Sequence, residues 1–318
     1  MKPPYDITPR ILDFISSISE KIGMVNATHL YKKSPELLKK SRVKTIHSSL
    51  QIEGNTLTEE QITALIENKR VVGPRKDVLE VLNAIQVYEK LHTYRYTSEK
   101  SFLKAHATLM QGLVEHAGKY RNKGVGIVKG TKVEHIAPPH ENVPHLMKNL
   151  FAYLNDSGES ALIKSCVFHY ELEFIHPFID GNGRMGRLWQ TLILIDRYPI
   201  FEYLPFETLI KNTQDAYYKS LALSDKTGKS TPFIEYMLEV IDKCLEDLLA
   251  FNSRIMSDDD RLEHFITLGF SDFSRKDYMN VFKSISSATA SRDLKKGLEL
   301  QYFESTGNMN KTRYRVKR

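Results

Sequence analysis

The chain has little cysteine. Of 318 residues only Cys166 and Cys244 carry a thiol, too few for a disulfide framework or a thiolate zinc site. A reducing, cytoplasmic setting is therefore expected. Long apolar runs are also missing. The longest, around 188–195, is interrupted by Gln190 and Thr191, and no stretch approaches the ~20 apolar residues of a membrane span, so no membrane partner is expected. The opening Met1-Lys2-Pro3-Pro4-Tyr5-Asp6 holds no apolar h-region, which argues against a secretory signal. There is no internal repeat, no low-complexity tract and no strong excess of one charge. Lys and Arg number 45 against 39 Asp and Glu, a formal net charge of +6. That balance permits a nucleic-acid partner without arguing for one. What is present is ordinary globular composition, 41% hydrophobic and 26% charged, enough for two or three domains at roughly 150 residues each.

The periodicity is mainly helical. Apolar residues recur at helical spacing over 7–21, 76–93, 102–114, 146–154, 161–175 and 184–195, the last two apolar enough to be central. Thr58 and Gln61 form a capping-box pattern ahead of Ile62, Leu65 and Ile66. One stretch breaks the pattern. Residues 120–139 are rich in Gly and β-branched side chains and predict a β-hairpin flap turning at Lys129-Gly130. His135, His140 and His145 are spaced by five and read as loop histidines rather than a metal set.

The most informative run is His176-Pro177-Phe178-Ile179-Asp180-Gly181-Asn182-Gly183-Arg184-Met185-Gly186-Arg187. Pro177 ends an apolar helix. Gly181 and Gly183 allow backbone geometry that turns successive N–H groups to one point. A new helix then starts, and its N-terminus favours an anion. Arg184 and Arg187 share a face of its first turn, where two cations suit a polyphosphate. Asp180 is placed to hold a hard cation, and His176 suits proton transfer near pH 7. The alternative is a plain helix–loop–helix turn with Asn182 as a cap.

This run resembles the Fic family signature, His-Pro-Phe-x-(Asp/Glu)-Gly-Asn-Gly-Arg-x-x-Arg, with every fixed position matched. The resemblance implies a helical catalytic core with a β-hairpin flap, and a protein adenylyltransferase that moves AMP from ATP to a Ser, Thr or Tyr hydroxyl of a target protein or of the chain itself. His176 would be the general base and Asp180 would hold Mg2+. Asn182 with the backbone of Gly181 and Gly183 would cradle the phosphates, beside Gly186. Arg184 would take the β-phosphate and Arg187 the γ-phosphate. Tyr217 falls where an aromatic residue would face the base, with core packing as its alternative.

Upstream, Ser49-Leu50-Gln51-Ile52-Glu53-Gly54 places Ser49 and Glu53 four apart on one helix face that Gly54 can end. It matches the family's inhibitory pattern, which implies that Glu53 pairs with Arg187 and keeps the enzyme off. The flap residues Gly130, Thr131, Lys132, Val133, Glu134, His135 and Ile136 would hold an extended piece of the target. Two further activities stay open on the same site, AMP removal and transfer of another phosphate-containing group.

Domains are expected over 1–95 (helical, with the inhibitory motif), 96–250 (catalytic core), 251–260 (a polar linker with three aspartates) and 261–318. The last segment predicts short helices over 262–268, 274–284 and 287–297, the third closed by Gly297. Strands over 298–303 and 312–316 follow, in the order of a winged helix-turn-helix. Ser287, Ser291, Arg292 and Lys295 on its third helix and Lys311, Arg313 and Arg315 on its wing suit DNA contact. Protein docking or a homodimer contact, with Asp258–Asp260, Asp293 and Glu299 diluting the field, is the alternative. A DNA-binding regulator whose core only senses nucleotide is a further possibility.

Overall fold

The computed structural model describes residues 2–27, 35–129, 132–156, 158–255, 257–283, 285–307 and 312–317. It divides into two compact units, Met1–Ser16 with Lys33–Ile241 and Ser17–Lys32 with Asp242–Arg318. No helix among the described residues is long and apolar enough to cross a membrane.

The helical spacing read from the sequence becomes helix nearly throughout. In chain order the elements are α1 (Pro9–Ala27), α2 (Pro35–Ile52), α3 (Glu59–Ile66), α4 (Arg75–Glu89), α5 (Glu99–Leu109), a hairpin of β1 (Gly126–Lys129) and β2 (Lys132–Ile136), α6 (Val143–Asn155), α7 (Ala161–Ile175), α8 (Asn182–Arg197), α9 (Glu207–Asn212), α10 (Gln214–Thr227) and α11 (Thr231–Ile255). Thr58 and Gln61 do form the reciprocal capping box at the start of α3. The hairpin pairs Gly126 with Ile136 and Lys129 with Lys132; Gly130 and Thr131 lie outside the described residues. β2 passes alongside α10.

The centre of the first unit is the α7–α8 pair. Both are buried on nearly every face, as their apolar sequences require. Phe102, Phe151, Phe168, Phe178 and Trp189 are at most 5% exposed. Their rings meet at 5.0–6.1 Å, mostly edge to face. Phe178 thereby anchors the loop between α7 and α8 in the core. Gly186 lets the two helices approach, because a Cβ there would sit 2.5 Å from His169 Cδ2.

In the second unit, α12 (Asp258–Thr267), β3 (Asp272–Ser274), α13 (Arg275–Val281), α14 (Ser287–Glu299), β4 (Phe303–Thr306) and β5 (Arg313–Val316) enclose Leu262, Phe265, Phe273, Tyr278, Phe282, Leu294 and Phe303. The strands form an antiparallel sheet in the order β3-β5-β4.

Three expectations are corrected here. The stretch 251–260 is not a polar linker: 251–255 continue α11, and the aspartates form the first turn of α12, where Ser257 and Asp260 make a capping box. Acidic residues belong at that end of a helix dipole. Gly297 does not close α14, which runs on to Glu299. It makes room for Phe303, whose ring would lie 2.5 Å from a Cβ at that position. Residues 298–299 are accordingly helix, and the strand starts at Phe303.

Candidate active site

α7 ends because Pro177 cannot continue it. His176 takes the left-handed conformation (φ 49°, ψ 60°) as its C-cap. For a residue with a Cβ this costs about 1–2 kcal/mol, so the surroundings must hold it. Asn182 does part of this. Its Oδ1 accepts from the Phe178 N–H and its Nδ2 donates to the Phe178 carbonyl, both at 2.9 Å. His106 does more. Its ring stacks on Phe178 at 3.5 Å, its Nδ1 accepts from the Gly118 N–H (2.8 Å) and its Nε2 lies 3.0 Å from the Asp180 carbonyl. With Nδ1 accepting, the proton is on Nε2 and is donated to that carbonyl. Burial pushes the His106 pKa down to about 4, so this ring is neutral at pH 7.

The loop delivers the chain to the N-terminus of α8. Gly181 has φ 90° and would bring a Cβ within 2.8 Å of Met110 Sδ, so glycine is needed there on both counts. The first intrahelical bond runs from the Met185 N–H to the Gly181 carbonyl (3.0 Å). The preceding amides of Asn182, Gly183 and Arg184 are the first-turn donors that attract an anion.

A cavity of about 310 Å³ opens at this end of α8. His176, Asp180, Gly181, Asn182, Gly183, Arg187 and Tyr217 line it, with Glu53, Glu173, Phe174, Ile179, Tyr218, Leu221, Ala222 and Asp225. The structure thus gathers most of the residues expected from the sequence. Arg187 is fully buried. Its Nε donates to Ser49 Oγ (3.0 Å), and its Nη2 donates to the Ser49 carbonyl (2.9 Å) and to Glu53 Oε1 (2.8 Å). Burial alone would lower the Arg187 pKa, but the Glu53 carboxylate carries it above the ordinary value. Glu53 follows the last residue of α2, Gly54 turns the chain at φ 89°, and 29% of the Glu53 side chain is exposed. The carboxylate lies against the first turn of α8, 2.6 Å from where a Gly183 Cβ would be. Glu53 therefore occupies a place that both the guanidinium and the helix dipole favour for an anion.

Other expected residues sit differently. Arg184 points away from the cavity, between Asp180 Oδ1 (2.7 Å) and Glu80 Oε1 (3.1 Å), 4% exposed. Both carboxylates bond its guanidinium, and one of them belongs to Asp180, which lines the cavity. Gly186 serves the packing against His169 and not the cavity. The Asn182 side chain is consumed by Phe178, which leaves only its backbone to face a ligand. Tyr217 is 2% exposed, packs on Phe233 (5.8 Å) and lies 3.1 Å, through its OH, from His169 Nε2. That is the core alternative; its neighbour Tyr218 also lines the cavity, with its OH near Gln214 Nε2. Asp180 accepts from the Gly181 N–H (2.6 Å), and its side chain keeps 45% exposure. The Asp180 carboxylate, half exposed beside a helix N-terminus that suits phosphate, fits Mg2+, which takes one or two protein carboxylates and fills its remaining positions with phosphate oxygens and water.

Glu173, His106 and Arg121 were not singled out from the sequence. Glu173 lies one helical turn from His169 on α7, a spacing that was open to view. Burial alone would raise its pKa, but His169, His176 and Arg187 around it hold it below the usual carboxylate value. Lys132, Val133, Glu134, His135 and Ile136 lie on β2. In the second unit Ser287, Arg292, Lys295, Arg313 and Arg315 are exposed. Ser291 Oγ accepts from Arg275 (3.1 Å), Arg313 pairs with Asp272 (2.9 Å), and Arg315 lies opposite Glu304. Lys311 lies outside the described residues, and Asp293 is buried with Arg261 and so does not reach the surface field.

A glycine turn and a helix N-terminus, with a buried arginine and His176 beside them, make a site suited to an anion. Comparison with known proteins gives the family. The Fic/DOC family model matches residues 96–194. A Fic family protein from Desulfovibrio desulfuricans G20 is 39% identical in sequence, with a TM-score of 0.77 covering 100% of this chain and 98% of that one. The chain belongs to the Fic family. Among curated proteins it is 28% identical over 245 residues to a protein adenylyltransferase Fic of Drosophila mojavensis, and 27% over 257 residues to one of Nematostella vectensis. Those matches take in 73% and 76% of this chain but 46% and 56% of the relatives. The chain thus spans about half the length of the curated relatives it matches.

Proposed function

We propose that the chain is a protein adenylyltransferase held off by Glu53. The observation that carries this reading is the contact of Glu53 with Arg187 at the N-terminus of α8, in the same cavity as His176. A carboxylate there takes the partner that a terminal phosphate needs and repels a polyanion. With Glu53 displaced, the triphosphate of ATP lies on the first-turn amides of α8 and on Arg187. Phe174, Tyr218, Leu221 and Ala222 offer the apolar surface for the base. The hydroxyl of a target Ser, Thr or Tyr gives its proton to His176. Its oxygen bonds to the α-phosphorus as the bond to the β-phosphate oxygen breaks, and pyrophosphate leaves. Asp180 would hold Mg2+, which supplies neutralisation of phosphate charge. Orientation and fixed charge do most of the work, and the base contributes about 10²–10⁴-fold. The β1–β2 hairpin beside α10 is suited to hold the target by main-chain pairing.

AMP removal is the second reading. It is favoured by Glu53 itself lining the cavity, where it can orient a water. Label from α-labelled ATP decides between the two. Transfer to protein by Glu53→Gly, lost in Glu53→Gly with His176→Ala, supports the transferase. Release of AMP from a modified protein by the native chain, with no transfer in any variant, supports removal.

For the second unit we infer a winged-helix docking module. Lys296 is tied to Asp258 and Asp259 (3.1 and 2.8 Å), and Arg313 to Asp272, so much of the basic face is already neutralised. A salt-sensitive gel shift with random duplex at 150 mM salt, about physiological ionic strength, would reverse this inference in favour of DNA.

A further inference from the structure

Main-chain carbonyls from three segments converge on one buried guanidinium. Arg121 is 4% exposed. Its Nε donates to the His176 carbonyl (2.7 Å), its Nη1 to the Lys123 carbonyl (2.9 Å), and its Nη2 to the carbonyls of Ile175 (3.3 Å) and Pro138. Its own backbone N–H donates to the Pro177 carbonyl (2.8 Å). The residue therefore grips 175, 176 and 177 in succession.

The physical need is plain. The last carbonyls of a helix lack intrahelical donors, and Pro177 has no N–H to offer them. A cation at that end also meets the negative end of the α7 dipole. The peptide plane after His176 sets the direction of its Cα–Cβ bond at a left-handed backbone, so whatever holds the His176 carbonyl aims its imidazole into the cavity. Pro138 follows β2 by two residues, so the return of the hairpin is tied to the same group. Only arginine carries a rigid fork of donors able to reach these acceptors together; the single ammonium of lysine cannot.

We propose that Arg121 is the positioning residue for His176 and that it links the base to the hairpin. This rests on the transferase reading above and adds a residue to it. The test places Arg121→Met and Arg121→Lys in the Glu53→Gly chain, with and without His176→Ala. Transfer of label is followed against ATP concentration. Arg121→Met is expected to lower kcat about 10²-fold, the cost of a misplaced catalytic group, and Arg121→Lys less. KM for ATP should stay within about twofold, because the phosphate cradle is untouched. With His176 already removed, Arg121→Met should lower the residual rate by no more than about twofold, since it acts through that side chain. Equal losses in both backgrounds, a raised KM with unchanged kcat, or no change would overturn the proposal.

Should the Glu53→Gly parent transfer no label, the transferase reading fails and amide hydrogen exchange still decides about Arg121. Arg121→Lys should raise exchange at residues 175, 176 and 178 while the interior of α8 keeps its protection. Uniform loss across the unit, or an unchanged loop, would contradict the proposed role.

Discussion

Both units hold a buried arginine against a carboxylate, and two of these pairs, Arg261–Asp293 and Arg187–Glu53, are built differently. Arg261 and Asp293 meet through two bonds, 2.6 and 2.9 Å, with side chains only 8% and 2% exposed, and the Tyr278 hydroxyl adds a third bond to the same carboxylate. Arg187 meets Glu53 through one bond, and Glu53 stands at the rim of a cavity with 29% of its side chain exposed. Two other ligands, both from Ser49, stay with Arg187 when Glu53 leaves. A pair that locks a core is bidentate and dry on both sides. The Arg187–Glu53 pair is single and wet on one side, and Ser49 supports the buried charge from elsewhere, which suits the proposed exchange for a ligand.

The largest loss of stability is expected at Asp293. Asp293→Ala leaves a buried guanidinium without its carboxylate, and thermal unfolding should show a loss of about 3–5 kcal/mol for the second unit. A loss below that of Glu53→Gly would mean that the two pairs are ranked wrongly.

Glu207 is another buried carboxylate within electrostatic reach of Arg187. It is fully buried and accepts from the hydroxyls of Thr45 and Thr191, both at 3.3 Å. Burial pushes its pKa from 4.5 up to about 7. Between those values the folded state binds a proton that the unfolded state releases, so stability falls as pH rises through this window. Glu207→Gln should remove that fall and stabilise the chain at pH 8 by about 1–3 kcal/mol, with little effect at pH 4. Unfolding midpoints measured across pH check the sign; a variant less stable at pH 8 would show that the carboxylate is held by more than the two threonines.

Glu53→Gly should cost less, about 1–2 kcal/mol, between the values for exposed and buried pairs. That exceeds the ~0–1 kcal/mol of an exposed pair, because Arg187 is deeper than its partner. Calorimetry checks it. Smallest of all, Arg313→Ala should change stability by less than about 0.5 kcal/mol, since both members of its pair with Asp272 are about half exposed. A larger effect would make the wing pair structural.

What was legible in the sequence follows from distance along the chain. His176 to Arg187 is one run of consecutive residues, and every group that needs the helix N-terminus is local to it. Ser49 and Glu53 were legible by spacing, although their partner lies far along the chain. Arg121 was not, because no local pattern marks a side chain whose acceptors are carbonyls brought together by folding. Asn182 and Arg184 were legible as polar residues at the start of a helix. Their orientation was not, since Phe178, Asp180 and Glu80 take their hydrogen bonds only once the loop is packed. Residues 258–260 read as a polar linker because charge was weighed without the cap. Ser257 and the dipole of α12 make the same residues a helix start.

In the proposed function Glu53 is the replaceable anion of the site. Its most direct test is the amount of label moved from α-labelled ATP with Mg2+ to protein by the native chain and by Glu53→Gly at matched concentration, both shown to be folded. Transfer should be weak in the native chain and at least about tenfold stronger in Glu53→Gly, a difference of roughly 1.4 kcal/mol in the barrier. Equal labelling by the two, or stronger labelling by the native chain, would contradict it.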